Sequence, residues 1–383
     1  MRTKFITLLL LSYSLLADAG DSNTLSSVTK EEFKPAEMQL AMAVHTQQQE
    51  EDELVDELDE SGQDDEIALV EPQLSSVSGA DKARSELYKI MPQLAYGAHN
   101  VKPRIVSDSA ASNTRLDSEF LKNAAMPRMR SSIVLIYDEN ADQILHSKNA
   151  DVVAPIASIT KLMTAMIVLD AKLPLDEEIS ILPEDISKEK RTRSRTRTGM
   201  TLTRGELLKL ALMASDNLSA AALARTYPGG TEAALRQMNA KARELGMDSS
   251  RFMDPTGLHS GNVATANDLV KMVRAAHGYE LIHQFSTSTS HTVEQAGRRP
   301  VRFHNTNPLV RNASWDIGLS KTGYISEAGR CLVMEAKITE QPVIIVLLDS
   351  WGKNSRVGDA NRVKKWMEKA SLHETRGSRS RNL

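Results

Sequence analysis

From Ser131 onward the spacing of apolar residues changes twice, and the order of those changes restricts the fold more than any other feature of the chain. The stretch SSIVLIYDENADQILHS is an apolar run, a polar turn at Asp138 to Asp142 and a second short run, the signature of a β-hairpin. Helix-patterned segments follow. One is expected to begin near Ser158 in PIASITKLMTAMIVL; the others are TLTRGELLKLALM, GGTEAALRQMNAKARELGM and TANDLVKMVRAA. Thr203 stands three residues before Glu206 in capping-box spacing, and Thr265 with Asp268 repeats it. From about Gln284 the texture turns β-rich, through STSTSHTVEQ, RRPVRF, IGLSKTGYI, RCLVMEAKI and PVIIVLLDS, and RVKKWMEKAS reads as a closing helix. Strands, then helices, then strands and one helix predict an α+β fold with helices packed on an antiparallel sheet.

The residues before Ser131 differ in kind. MRTKFITLLLLSYSLLADAG has Arg2 and Lys4, an apolar run from Phe5 to Leu16 and the small-x-small site Ala17-Asp18-Ala19. This predicts a cleaved secretory signal peptide over residues 1–19, because the apolar run is short for a membrane span and no cysteine near the cut marks a lipoprotein. Between Asp21 and Ala80 sixteen acidic residues stand against two basic ones, so a chain of net charge −3 has a net positive remainder. EEDELVDELDESGQDDE holds no base and too little apolar area to offset the entropy of ordering; residues 20–80 are expected to be an acidic disordered tail. Residues 81–130 read as linker, 131–371 as the folded domain and 372–383 as a basic C-terminal tail. A hydrophobic content of 41% suits a globular domain that relies on its core, and the single Cys331, in apolar CLVM, is expected to be buried within it.

Lys161 is the only charge in PIASITKLMTAMIVL, three residues after Ser158. Desolvating an ammonium is costly, so such a lysine has a lowered pKa or a partner. On a helix that spacing puts both side chains on one face, and the helix N-terminus favours negative charge at the seryl oxygen. An amine of lowered pKa can then take the hydroxyl proton. Taken alone, the pair reads better as a snorkelling structural lysine. S-x-x-K occurs four times: Ser27/Lys30 lies in the acidic segment, Ser187/Lys190 in a charged loop and Ser350/Lys353 just after a strand, whereas Ser158 opens an apolar helix. Two further clusters reverse the balance. Ser215-Asp216-Asn217 directly follows a helix and Lys321-Thr322-Gly323 lies in a β-like stretch, although Ser260-Gly261-Asn262 and Arg197-Thr198-Gly199 imitate them. S-x-x-K, S-D-N and K-T-G in this order are the motif set of penicillin-binding proteins and class A β-lactamases.

Residues from about 131 to 370 resemble the penicillin-binding D-alanyl-D-alanine endopeptidases of Gram-negative bacteria, through PIASITKLMTAM, LALMASDN, YPGG, RFMDPTGL and KTGYISEAGRCLVM. The resemblance implies a β-lactamase/transpeptidase-like fold. It implies that Ser158 attacks a D-alanyl carbonyl to form an acyl-enzyme, with Lys161 as general base and Ser215 relaying a proton to the leaving amine. Asn217 would hold the substrate amide, Lys321 would add positive potential, Thr322 would bind a stem-peptide carboxylate and Gly323 would let the backbone approach. The N–H groups of Ser158 and Tyr324 would form the oxyanion hole. The implied substrate is the D-alanyl to diaminopimelate crosslink of peptidoglycan, the implied inhibitors are β-lactam antibiotics, and the implied location is the periplasm.

Other chemistries find less support. The nine histidines form no H-E-x-x-H and no close helical pair, so no metal or other cofactor is expected. GLHSG misses the spacing of a G-x-S-x-G elbow. In MDPTGLHSG, Asp254 is one methylene shorter than the deacylating glutamate of class A β-lactamases, and Leu258 stands where their asparagine follows, so slow release of a penicilloyl group is expected. SKEKRTRSRTRTG reads as a solvated basic loop, with attraction to the anionic wall polymer or the acidic tail as the functional alternative; nucleic acid is implausible for an exported chain. A short helix around Leu54, Val55 and Leu58 would let the acidic tail dock on a partner, such as another wall enzyme, or on the chain's own basic surface. Two alternatives stay open: a DD-carboxypeptidase removing a terminal D-alanine with the same residues, and a non-catalytic binder of wall peptides. The closing LHETRGSRSRNL, basic and not amphipathic, leaves no room for the further β domain and membrane helix of larger carboxypeptidases and so favours the endopeptidase.

Overall fold

The computed structural model of the protein describes residues 126–187, 190, 194–294 and 299–381, with side chains of the last helix described as far as Ser371. The expected signal peptide, acidic tail and most of the expected linker lie outside the described residues. The chain enters through β1 (Ser131–Asp138) and β2 (Gln143–Lys148), then passes β3 (Ala154–Pro155) into α1 (Lys161–Asp170). Next come β4 (Glu178–Ser180), β5 (Thr201–Thr203), α2 (Arg204–Met213), α3 (Asn217–Arg225) and α4 (Gly230–Glu244). They are followed by β6 (Val263–Ala264), α5 (Ala266–His277), α6 (Glu280–Ser286), β7 (Ser290–Val293) and β8 (Val301–His304). Three long strands, β9 (Asp316–Ile325), β10 (Gly329–Ile338) and β11 (Gln341–Ser350), precede the last helix, α7 (Ser355–Arg381). Five strands make one antiparallel sheet in the order β2-β1-β11-β10-β9.

Both faces of this sheet are covered, which is why its strands read as continuous apolar runs rather than alternating ones. Cys331, Val333, Ile344 and Val346 join the core under the main helical layer. Leu332, Met334, Ile345 and Leu347 point the other way, where Ala360, Val363, Met367 and Ala370 of α7 meet them as one stripe at helical spacing. Asp359 fastens α7 to the first strand. Its fully buried carboxylate accepts from the Arg130 N–H at 3.0 Å, the Ser131 N–H at 2.7 Å and the Ser131 hydroxyl at 2.5 Å. The Arg362 guanidinium pairs with the same carboxylate, and hydrogen bonds with a charged partner contribute roughly 1.5–3 kcal/mol each after desolvation.

On the helical side α1 is central, with every side chain from Lys161 to Val168 buried. A helix buried all round is apolar all round; Thr164 satisfies its hydroxyl on Pro255 O at 2.7 Å, and Lys161 is the charged exception that the site explains.

Several boundaries differ from the sequence reading. The helix expected to begin near Ser158 starts as a 3-10 turn over Ala157–Thr160, and the α-helix begins at Lys161. Ala157, the first residue of the turn, has φ +46°, so the chain enters it through a left-handed residue, while Thr160 and Lys161 are right-handed and carry the turn straight into α1. Apolar spacing does not announce α3 or α6. The first is Ala-rich, and α6, at seven residues, is too short to display a helical period. At the C-terminus α7 continues to Arg381 through the stretch expected to be a tail from residue 372. Met126 and Met129 pack on the second core, ahead of the expected domain start at 131. No described helix is long and apolar enough to cross a membrane.

Candidate active site

Ser158 lies on the 157–160 turn, with 9% of its surface exposed. The turn is pinned from several sides. The Ile156 N–H donates to Asn262 O at 3.0 Å, the Thr160 hydroxyl to Ala157 O at 2.8 Å and Asn262 Nδ2 to Thr160 Oγ1 at 2.9 Å. Gly257 (φ +86°) presses against it so closely that a Cβ there would lie 2.0 Å from Ala157 O and 2.8 Å from Ser158 N. On another side a Cβ at Gly323 would come within 3.0 Å of Ala157 Cβ, Ile156 O and Ser158 N. Two residues without side chains thus let two backbone segments close on the Ser158 turn.

Lys161 Nζ is 2.9 Å from Ser158 Oγ, 2.7 Å from Asn217 Oδ1 and 2.7 Å from Thr256 O. The side chain has no exposed surface. Burial pushes its pKa down to about 7, against the opposing pull of Asp254 and Asp216. The neutral amine has two N–H groups and one lone pair. Two of its three partners are carbonyl oxygens, which only accept, so the lone pair is left for the Ser158 hydroxyl proton.

Across the pocket, Lys321 Nζ donates to Ser215 Oγ and to Thr322 O, both at 2.8 Å. Burial, followed by the positive charges of Lys161 and Arg356, holds the Lys321 pKa well below the ordinary lysine value. The amine acts on Ser215 as a hydrogen-bond donor, and its lowered pKa weakens the steady positive charge that the motif implies. The Thr322 hydroxyl is 2.6 Å from that of Thr306. Tyr324, 37% exposed, follows Gly323 on β9, with the Arg330 guanidinium 4.7 Å from its ring centroid. β9 is the edge strand of the sheet and lies against the Ser158 turn. The structure brings Ser158, Lys161 and Asn217 together, pairs Ser215 with Lys321, and joins the two groups where Gly323 packs on the turn.

A family model described as D-alanyl-D-alanine carboxypeptidase matches residues 121–352. The chain belongs to this family. It is 47% identical over 243 residues to the D-alanyl-D-alanine endopeptidase of Pseudomonas aeruginosa, covering 63% of this chain and 78% of that one. It is 42% identical over 267 residues to the D-alanyl-D-alanine endopeptidase of Escherichia coli, covering 70% and 83%. The solved structure of a Streptomyces DD-transpeptidase aligns with a TM-score of 0.59 at 24% identity, over 63% of this chain and 98% of that one. The α+β fold is therefore transpeptidase-like.

This D-Ala-D-Ala peptidase also uses residues that its motifs do not announce. The Asp254 carboxylate accepts from the Thr256 N–H and the Gly257 N–H at 3.0 Å each, from Asn262 Nδ2 at 2.8 Å and from the Thr256 hydroxyl. It is spent on shaping the turn that offers Thr256 O to Lys161 and Gly257 to Ala157. Asn262, dismissed in the sequence as an imitation motif, is fully buried and also accepts from the N–H groups of Met253 at 2.7 Å and Asp254 at 3.1 Å. The signal was present as turn chemistry: Asp-Pro-Thr-Gly is a turn sequence whose carboxylate bonds its own backbone. Asp216 caps α3 through the Ser219 N–H at 2.8 Å and takes the Thr196 hydroxyl at 2.8 Å. By doing so it steadies Ser215, whose φ of +59° is left-handed and costs a non-glycine residue roughly 1–2 kcal/mol. Beside Asn217 and Thr256 opens a cleft of about 350 Å³, walled by Asp185, Ile186, Leu218 and Leu258. Lys190, from the basic loop, adds to its lining and forms an ion pair with Glu327 after β9.

Proposed function

We propose that the protein is an exported serine DD-endopeptidase that hydrolyses D-alanyl to diaminopimelate crosslinks of peptidoglycan in the periplasm of a Gram-negative cell. The observation that carries this reading is the 2.9 Å contact between Ser158 Oγ and the buried Lys161 amine. As Ser158 Oγ bonds to the D-alanyl carbonyl carbon, its proton passes to Lys161 Nζ. Oxyanion charge is met by the N–H groups of Ser158 and Tyr324. The proton then moves through Ser215 to the leaving amine, the C–N bond breaks, and Lys161 is neutral again. Water repeats the sequence on the ester: its proton goes to Lys161, its oxygen to the acyl carbon, and Ser158 recovers its hydrogen.

Asn217, held by Lys161, takes a substrate amide in this reading, and the Thr322 hydroxyl, paired with that of Thr306, takes a carboxylate together with Lys321. The outer edge of β9 offers backbone groups that an extended stem peptide can pair with. The names of the two endopeptidase relatives support crosslink cleavage, while the family description supports removal of a terminal D-alanine by the same residues. The N-terminal signal-peptide pattern supports export.

Digestion of purified crosslinked muropeptide dimers tests the proposal. Monomers are expected. Dimers that lose only a terminal D-alanine make the protein a carboxypeptidase, and untouched dimers make it a binder. Penicillin offers a second check. With Asp254 fully engaged by its own turn, no carboxylate there is available to activate deacylating water, so the penicilloyl adduct is expected to survive gel filtration and appear as a mass increase on the Ser158 peptide. Rapid hydrolysis of the drug with no retained mass would contradict this.

A further inference from the structure

Glu335 is an acid in an apolar row. It follows Cys331 and Val333 on the same face of β10, and its side chain is 6% exposed. Room for it exists because its partner strand carries a glycine: a Cβ at Gly318 would fall 1.9 Å from Glu335 Oε2. That oxygen accepts no hydrogen bond from any described residue. What it faces is a second carboxylate and an imidazole. Glu139, just after β1, and His277, the last residue of α5, each bring one ligand atom to the same point, and all three atoms lie within 4.8 Å of one another.

Two carboxylates and an imidazole from three separate elements converge here, a donor set of the kind that holds a metal ion. A carbonyl-rich helix end beside them, the C-terminus of α5, adds negative potential and favours a cation.

We propose that Glu139, His277 and Glu335 form a binding site for one divalent cation of the zinc class, outside the Ser158 pocket. Ligands about 2.05 Å from a tetrahedral zinc lie about 3.3 Å apart, and His277 Nε2 to Glu335 Oε2 is already 3.6 Å. Half-buried Glu139 closes the remaining gap by a side-chain rotation. The imidazole nitrogen selects zinc-like ions over magnesium and calcium, which prefer all-oxygen shells. The ion ties the end of α5 to β10 and to the β1–β2 turn. It takes no part in the serine chemistry. None of this is legible in the chain, where the three residues are separated by 138 and 58 positions.

Equilibrium dialysis of the full chain against micromolar Zn²⁺, followed by elemental analysis, tests the site. Wild type is expected to retain one equivalent more zinc than His277→Ala and one more than Glu335→Gln, and to retain neither calcium nor magnesium. His277 is 40% exposed, so its variant keeps the fold and decides the matter alone should Glu335→Gln misfold by circular dichroism. Equal zinc content in wild type and His277→Ala overturns the proposal, as does retention of calcium or magnesium in place of zinc.

Discussion

Ser158→Ala is expected to abolish crosslink cleavage and covalent penicillin labelling together, with turnover falling on the order of 10⁶-fold. The substitution removes one oxygen from a residue on a turn held by other groups, namely Asn262, Thr160 and the close glycines, so the fold persists. Lys161 keeps Asn217 and Thr256 as partners and stays in place. Peptide affinity is therefore retained while acylation is lost. Fluorescent penicillin on a denaturing gel reads the labelling, and muropeptide digestion reads the cleavage. A variant that still labels would place the nucleophile elsewhere.

Gly257→Ala is expected to be the most damaging change outside the three motifs. Its Cβ would meet Ala157 O at 2.0 Å and Ser158 N at 2.8 Å, and both are backbone atoms that no side-chain rotation can move aside. The positive φ adds roughly 1–2 kcal/mol for any residue with a Cβ. Relief requires the Ser158 turn or the 254–257 turn to shift by about an ångström, and a misplacement of that size costs about 10²-fold in rate. The penicillin acylation rate of the folded variant should fall by at least about that factor. Gly323→Ala is milder, because its contacts start at 3.0 Å and its φ is not left-handed. Near-normal acylation by Gly257→Ala would show that the two turns are not as tightly coupled as their spacing requires.

Much of this architecture was legible in the chain because it depends on local pattern. The hairpin of β1 and β2 shows as two runs about a polar turn, the start of α2 as a capping box, and β10 and β11 as apolar runs short for helices, the second rich in β-branched residues. The three motifs were legible for a different reason: the chemistry restricts residue types at fixed spacing. What stayed hidden is non-local. Asn262 matters because it reaches Thr160 and Asp254 across the fold, and Gly257 because its backbone touches Ala157. The α-helix begins three residues after Ser158 because its first turn is wound as a 3-10 turn, a tightening that apolar spacing does not record. Likewise α7 outran its expected end, since a basic stretch is compatible with helix as much as with tail.

The central claim is that a neutral, buried Lys161 takes the proton of Ser158. Measuring the second-order rate of penicillin acylation against pH, in wild type and in Lys161→Met, tests it most directly. Burial lowers the lysine pKa to about 7, and the base works only when deprotonated, so the wild-type rate should climb as pH rises through about 7 and level off above it. Methionine fills the volume without a base; the rate should drop about 10³-fold and the inflection should vanish. An inflection near pH 7 that survives in Lys161→Met would contradict the account.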